Sequence, residues 1–370
     1  MKKILVIFGT RPEAIKLCPL VLEFKKHPKE CNVVVCVTAQ HRQMLDQVLK
    51  VFDVVPDYDL NVMKDNQTLT ELTTNCLGQL GQIIKKESPD MVVVQGDTTT
   101  TYTGALAAYY EQVQVGHVEA GLRTGNKYSP FPEEMNRKMT TAIADYHFAP
   151  TDISDKNLQL ENVDNKTIFI TGNTVIDALL WVKNKIDTEN KNFNEFDDVD
   201  FSKKIILVTG HRRENFGDGF SNVCHALKSI ALKHEDVEIV FPVHLNPNVR
   251  KPVNEILSEV NNIKLIEPLD YEPFIYIMDK SYLIMTDSGG IQEEAPSLAK
   301  PTIVTRENTE RQEAVTAGVV KLVGTDSEKI ISEIDLLLTD QDAYKSMANK
   351  DNPYGDGNAS AKIVSAILSV

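Results

Sequence analysis

Short apolar runs alternate with amphipathic helical patterns from end to end of this chain, and that rhythm restricts its fold more than any other feature. Strand-like runs lie at 4–8, 33–38, 91–95, 113–119, 147–149 and 167–170. Helical segments lie between them at 12–26, 42–52, 68–87, 100–111 and 134–144. Such apolar strands are buried on both faces, which calls for a parallel sheet with helices on each side. Each crossover is then a right-handed βαβ unit. The polar stretch 187–203 breaks the rhythm and reads as a linker or exposed excursion. The rhythm restarts at 205–209, 237–242, 263–266, 282–286, 302–305 and 319–322. The pattern predicts an α/β fold of two doubly wound domains without a short internal repeat, and 370 residues are enough for both.

Hydrophobic residues make up 42% and charged residues 25%, as in an ordinary soluble globular protein. A net charge of −14 argues against nucleic acid or an anionic membrane surface as partner. A phosphorylated small molecule would need positive charge supplied locally. Cys18, Cys31, Cys36, Cys76 and Cys224 include no C-x-x-C pair. They fit reduced cytoplasmic thiols, not a disulfide framework or a metal site. The apolar run after Met1-Lys2-Lys3 is too short for a signal peptide, and no run approaches a membrane span.

Ligands of doubly wound sheets sit beyond the carboxyl ends of the strands. In Leu283-Ile284-Met285-Thr286-Asp287-Ser288-Gly289-Gly290-Ile291-Gln292-Glu293-Glu294, a strand runs through two glycines into a helix start. This is either a phosphate seat or a plain tight turn. Glu293 and Glu294 either bond sugar hydroxyls or complement the helix dipole. After the first strand, Thr10 and Glu13 have capping-box spacing and Pro12 suits a first helical turn. Arg11 and Lys16 remain as candidate anion partners. No G-x-G-x-x-G follows, so a nicotinamide fingerprint is absent.

Gln95-Gly96-Asp97 places a carboxylate at a strand end, where Asp97 is either a helix cap or a base. Glu119 ends a run that should be buried, so it is either functional or paired with Arg123. Glu133 and Arg137, four apart at a helix start, can pair on one face. His211 follows Gly210 at a strand end, suited to a phosphate or leaving group or else to a structural hydrogen bond. Arg311 lies beyond a later strand. Strand ends in both halves thus carry anion-binding and acid–base groups, which predicts a cleft between two domains.

Gly9-Thr10-Arg11-Pro12-Glu13, Gly96-Asp97-Thr98-Thr99-Thr100, Gly116-His117-Val118-Glu119-Ala120-Gly121-Leu122-Arg123-Thr124, Pro132-Glu133-Glu134, His211-Arg212-Arg213-Glu214-Asn215 and Asp287-Ser288-Gly289-Gly290-Ile291-Gln292-Glu293-Glu294-Ala295-Pro296-Ser297 resemble, in order and nearly end to end, the non-hydrolysing bacterial UDP-N-acetylglucosamine 2-epimerases. The resemblance implies a GT-B fold: two Rossmann-like doubly wound domains with parallel sheets and an interdomain cleft. It implies domains at 1–170 and 171–354, with a C-terminal helix at 355–370 returning to the first. It also implies a cytoplasmic homodimer that interconverts UDP-N-acetylglucosamine (UDP-GlcNAc) and UDP-N-acetylmannosamine (UDP-ManNAc) for surface polysaccharide.

The missing nicotinamide motif agrees with this. The sugar C2–H is not acidic, and no ketone forms without a redox cofactor. The remaining route needs no cofactor: UDP is eliminated, leaving a 2-acetamidoglucal, and then adds back. By resemblance Asp97, Glu119 and Glu133 are acid–base groups, Arg137 orients them, and His211 stabilises departing UDP. Arg11, Lys16, Leu269, Phe274, Ser288, Gly289, Gly290, Glu294 and Arg311 match positions that bind UDP. Gln40, Gln43, Gln67, Glu133, Arg212 and His244 match an activator site for substrate. Asn66 departs from the Arg of activated members, Gln95 from a common His, and Gln312 from a usual Pro.

Overall fold

The computed structural model describes residues 1–39, 42–64 and 66–370. Two compact units emerge, Met1–Trp181 with Tyr354–Val370, and Val182–Pro353. The division falls inside helix Thr174–Glu189.

The first unit is a seven-stranded sheet of β1 (Lys2–Phe8), β2 (Cys31–Val37), β3 (Tyr58–Asp59), β4 (Met91–Gln95), β5 (Gln114–Val118), β6 (Tyr146–Ala149) and β7 (Ile168–Ile170). The order is β3-β2-β1-β4-β5-β6-β7, parallel throughout. Ile4, Leu5, Val6, Ile7 and Phe8 are all 0% exposed, so β1 is covered on both faces. Such strands lose their apolar surface to water unless helices close over each side. The order reverses between β1 and β4, which puts a switch-point crevice at their carboxyl ends. Only β3, two residues long, lacked a periodic signal in the sequence.

The second unit has six parallel strands, β8 (Lys204–Thr209), β9 (Val237–Pro242), β10 (Ile263–Ile266), β11 (Leu283–Thr286), β12 (Thr302–Val304) and β13 (Val320–Leu322). Their order, β10-β9-β8-β11-β12-β13, reverses between β8 and β11. The core joins Ile206, Val208, Ile239, Phe241 and Met285 from the strands to Phe220, Leu227 and Ile334 from the helices.

The stretch read as a linker or exposed excursion is mostly exposed, but it is pinned at a few points. Helix Thr174–Glu189 runs into it, and Phe196 stacks on Tyr276 at 5.6 Å. Phe193 and Phe201 flank the same ring at 5.2 and 6.0 Å, and Lys191 binds Glu272 at 2.6 Å. Three phenylalanines spaced among acids give no period, so their shared contact is invisible in the sequence.

The last helix, Ala359–Ser369, packs on helix Arg11–Lys25 of the first unit. The Ala359 and Ser360 amides donate to Asp177 at 3.2 and 2.7 Å. Burial pushes that carboxyl's pKa up, against those hydrogen bonds. Among the described residues, no helix is long and apolar enough to cross a membrane.

Candidate active site

In the first unit, Glu13 ties the ends of β1 and β4 together. It accepts from the Gly9 and Thr10 amides at 3.1 and 2.8 Å and from the Thr98 hydroxyl at 2.7 Å. The expected capping box is present, and it reaches across the switch point. Burial raises the Glu13 pKa, and these donors oppose the rise.

Glu119 is the residue just past β5, with φ of 62° in the left-handed region. A non-glycine residue there is held by its surroundings. Its carboxylate takes the Lys16 ammonium and the Gln95 amide, and the Asn173 amide at 3.0 Å. The alternative pairing with Arg123 does not form. Arg123 instead grips Glu161 with Nε and Nη2 at 2.8 and 2.6 Å. Lys16, matched by resemblance to UDP binding, lies on Glu119.

Asp97 follows Gly96, whose φ is 73°. Its Oδ2 faces the Arg137 guanidinium, and its carbonyl accepts from Asn136 at 2.9 Å. The following helix is capped by Thr98, which accepts from the Thr101 amide, so Asp97 is not the cap. Arg137 does not take the partner expected on its own helix. It meets Glu134 at 3.4 Å, three residues back, while Glu133 Oε2 is buried without a hydrogen-bond partner. Glu134 is fully buried and accepts from the Thr124 and Gly125 amides, both at 3.1 Å, which turns it inward and puts it under Arg137. Arg11 opens helix Arg11–Lys25 and is partly exposed.

In the second unit, Asp287 joins the ends of β8 and β11. Its Oδ2 accepts from the His211 and Arg212 amides at 2.9 and 2.8 Å, and its carbonyl accepts from Arg212 Nε at 2.9 Å. His211 Nδ1 stands 3.6 Å from Asp287 Oδ1, and the imidazole stacks on His244 at 5.3 Å. Burial, then the neighbouring His211, lowers the His244 pKa. A pocket of 410 Å³ is lined by His211, Arg212, Arg213, Glu214 and Ser288.

The glycine turn has the geometry its sequence promised. Helix Gly289–Glu294 starts directly after Ser288, whose side chain does not cap it. A Cβ on Gly289 would stand 3.1 Å from Arg311 Cζ and from Glu310 Oε1, so a larger residue would have to push one of them back by a few tenths of an ångström. Arg311 is paired with buried Glu293 at 2.7 Å and with Glu310 at 2.8 Å. Glu310 also binds Arg306 at 2.8 Å and lies 3.5 Å from Arg212. Burial opposes it, yet Arg311 and Arg306 hold the Glu310 pKa down to about 2. Glu294 accepts from the Tyr271 hydroxyl at 3.4 Å, tying the turn to helix Tyr271–Lys280, which carries Phe274. Leu269 precedes that helix, and both apolar residues are partly buried.

Of the residues matched to an activator site, Arg212 and His244 share this wall. Gln67 lies in the first unit with Nε2 buried and lacking a hydrogen-bond partner. Gln40 lies outside the described residues, as does the side chain of Gln43. Sequence reasoning missed Glu134, Asn173, Asp287 and Glu310. Asn173, next to Gly172 past the last strand of its sheet, carried the same strand-end signal as Asp97.

Two doubly wound parallel units in series place the chain in the GT-B fold class. The family model described as UDP-N-acetylglucosamine 2-epimerase matches residues 23–368. The UDP-N-acetylglucosamine 2-epimerase of Escherichia coli K12 is 57% identical over 369 residues, covering 99% of this chain and 98% of that one. A UDP-GlcNAc 2-epimerase from Neisseria meningitidis, solved bound to UDP-GlcNAc, aligns with a TM-score of 0.89 at 50% identity, covering 100% of both chains. The Methanocaldococcus jannaschii enzyme, in complex with UDP-GlcNAc and UDP, aligns at 0.78 with 35% identity, again over 100% of both. The chain belongs to the UDP-N-acetylglucosamine 2-epimerase family, a family of isomerases.

Proposed function

We propose that this protein reversibly inverts C2 of UDP-GlcNAc to give UDP-ManNAc. A carboxylate takes the C2 proton while the C1–O bond breaks, and UDP leaves with the bonding electron pair. The electrons of the C2–H bond form the C1=C2 bond of a 2-acetamidoglucal. A proton then adds to the opposite face of C2, and UDP oxygen returns to C1. Opposite faces require more than one acid–base group, roles we give to Asp97, Glu119 and Glu133. Arg137 orients Asp97, and His211 faces the departing UDP. Arg11, Ser288, Gly289, Gly290, Glu294 and Arg311 bind the nucleotide, with Leu269 and Phe274 as apolar walls. Lys16 serves chiefly by sitting on Glu119.

The observation that carries this reading is Glu119, a buried strand-end carboxylate met by Lys16, Gln95 and Asn173. These three donors fix the position of a carboxylate that can accept a proton. The relatives solved with UDP-GlcNAc and UDP support the choice of substrate. The test is NMR of UDP-GlcNAc with the purified protein in heavy water. Deuterium should enter C2 as UDP-ManNAc accumulates. No exchange without an acceptor would favour sugar transfer, and free N-acetylmannosamine would mark hydrolysis.

The reading extends to a cytoplasmic homodimer, which sedimentation and cell fractionation check. It includes activation by UDP-GlcNAc through Gln40, Gln43, Gln67, Arg212 and His244. With Asn66 in place of Arg, the rate curve against UDP-GlcNAc should be only weakly sigmoidal, and Asn66→Arg should steepen it.

A further inference from the structure

We infer that Asn173 is a positioning residue for Glu119, and that the returning C-terminal segment holds it in place. The inference rests on the reading of Glu119 as an acid–base group.

Asn173 is 3% exposed. Its Nδ2 donates to Glu119 Oε1 at 3.0 Å, and its Oδ1 accepts from the Val175 amide at 3.1 Å. That second bond fixes which end of the amide faces the carboxylate. Its own backbone N–H donates to the Tyr354 carbonyl at 2.7 Å. Tyr354 is the first residue of the chain's return to the first unit. The neighbour Gly172 makes the approach possible. Its φ is 88°, and a Cβ there would stand 3.2 Å from the Tyr354 carbonyl oxygen and 3.3 Å from Gly355 Cα. The return of the chain, Asn173 and Glu119 therefore form one connected series of hydrogen bonds. Glu119 needs such support because its φ of 62° is not one its side chain favours.

Among the described residues, Lys16, His117 and Arg123 are charged or titratable groups near this carboxylate. Lys16 approaches from helix Arg11–Lys25. His117 on β5 is uncharged, since burial drives its imidazole down to about 3 against the hydrogen bond to Gly96. Arg123 is engaged by Glu161. Loss of the Asn173 amide should therefore register on Glu119 itself.

The experiment is the pH–rate profile of C2 deuterium exchange for the wild type, Asn173→Ala and Asn173→Asp, with UDP affinity by calorimetry. Removing a donor from an ionised carboxylate raises its pKa. The acid limb of Asn173→Ala should move toward neutral by roughly one pH unit, with kcat down about 10-fold or more and UDP affinity within about threefold. Asn173→Asp keeps the acceptor for Val175 and sets a like charge against Glu119. Its limb should move further the same way, and it carries the test if the alanine variant does not fold. Acid limbs that coincide with the wild type in the folded variants overturn the inference, whatever the loss of thermal stability. A wild type that exchanges nothing overturns the functional reading, and this inference with it.

Discussion

Arg137 spans two carboxylates, with one guanidinium nitrogen on Asp97 Oδ2 and another 3.4 Å from Glu134 Oε2. A planar fork meets the two from separate nitrogens at a fixed spacing, whereas an ammonium would have to draw both carboxylates to one atom. Arg137→Lys should lower kcat for C2 exchange about 10- to 100-fold with KM little changed. Arg137→Ala would also leave Glu134, which is 0% exposed, without its cation. That should cost about 3–5 kcal/mol in chemical denaturation. Lysine activity equal to wild type would show that Asp97 needs no second-nitrogen anchor.

Asp97→Asn and Glu119→Gln remove a proton acceptor while nearly preserving shape. Each should reduce turnover by about 10²- to 10⁴-fold. UDP binding by calorimetry should persist in both, since neither is assigned to the nucleotide. Near-wild-type exchange in either variant would remove that residue from the chemistry.

Strand ends were the legible part of this molecule. Apolar runs such as Met91–Gln95 and Val237–Pro242 mark strands by composition alone, and the candidate site residues collect where such strands stop. What the sequence hid was pairing between distant positions. Nothing local distinguishes Glu133 from Glu134, yet one is buried under Arg137 and the other opens the helix. Glu119 and Arg123 are close enough to suggest a pair, but Lys16, 103 residues away, takes the partnership. Phe193, Phe196 and Phe201 looked like scattered apolar residues in a linker because Tyr276, which gathers them, lies far along the chain.

Gly289→Ala tests the turn of the second unit. The added methyl would meet Arg311 Cζ and Glu310 Oε1, each 3.1 Å from the Cβ position. Arg311 cannot simply swing aside, because buried Glu293 holds it at 2.7 Å. The Arg311 and Glu310 side chains would have to give by a few tenths of an ångström, which disturbs the pairing of Arg311 with Glu293. UDP affinity should fall about 10-fold or more, equivalent to about 1.4 kcal/mol, and the melting temperature should fall with it, since the crowding is present without nucleotide. Unchanged affinity in calorimetry would move the phosphate away from this turn.

His117 makes the first unit sensitive to acid. Its Nε2 donates to the Gly96 carbonyl at 2.7 Å, and burial pushes its pKa down to about 3. An unfolded chain's histidine takes up a proton near pH ~6.5, which the folded one refuses until about pH 3. Between those values the unfolded state binds more protons, so stability falls as pH falls. The loss should reach about 2 kcal/mol by pH ~5 relative to pH ~7. His147, paired with His117 across β5 and β6 and also lowered by burial, adds a loss of the same sign. His117→Gln keeps a donor in reach of Gly96 and removes the His117 titration. Its urea-denaturation stability should then fall less steeply than the wild type's between pH ~6.5 and ~5, with His147 and His244 contributing to the remaining slope. Parallel slopes for the two proteins would mean that His117 takes up its proton in the folded state over the same pH range as in the unfolded chain.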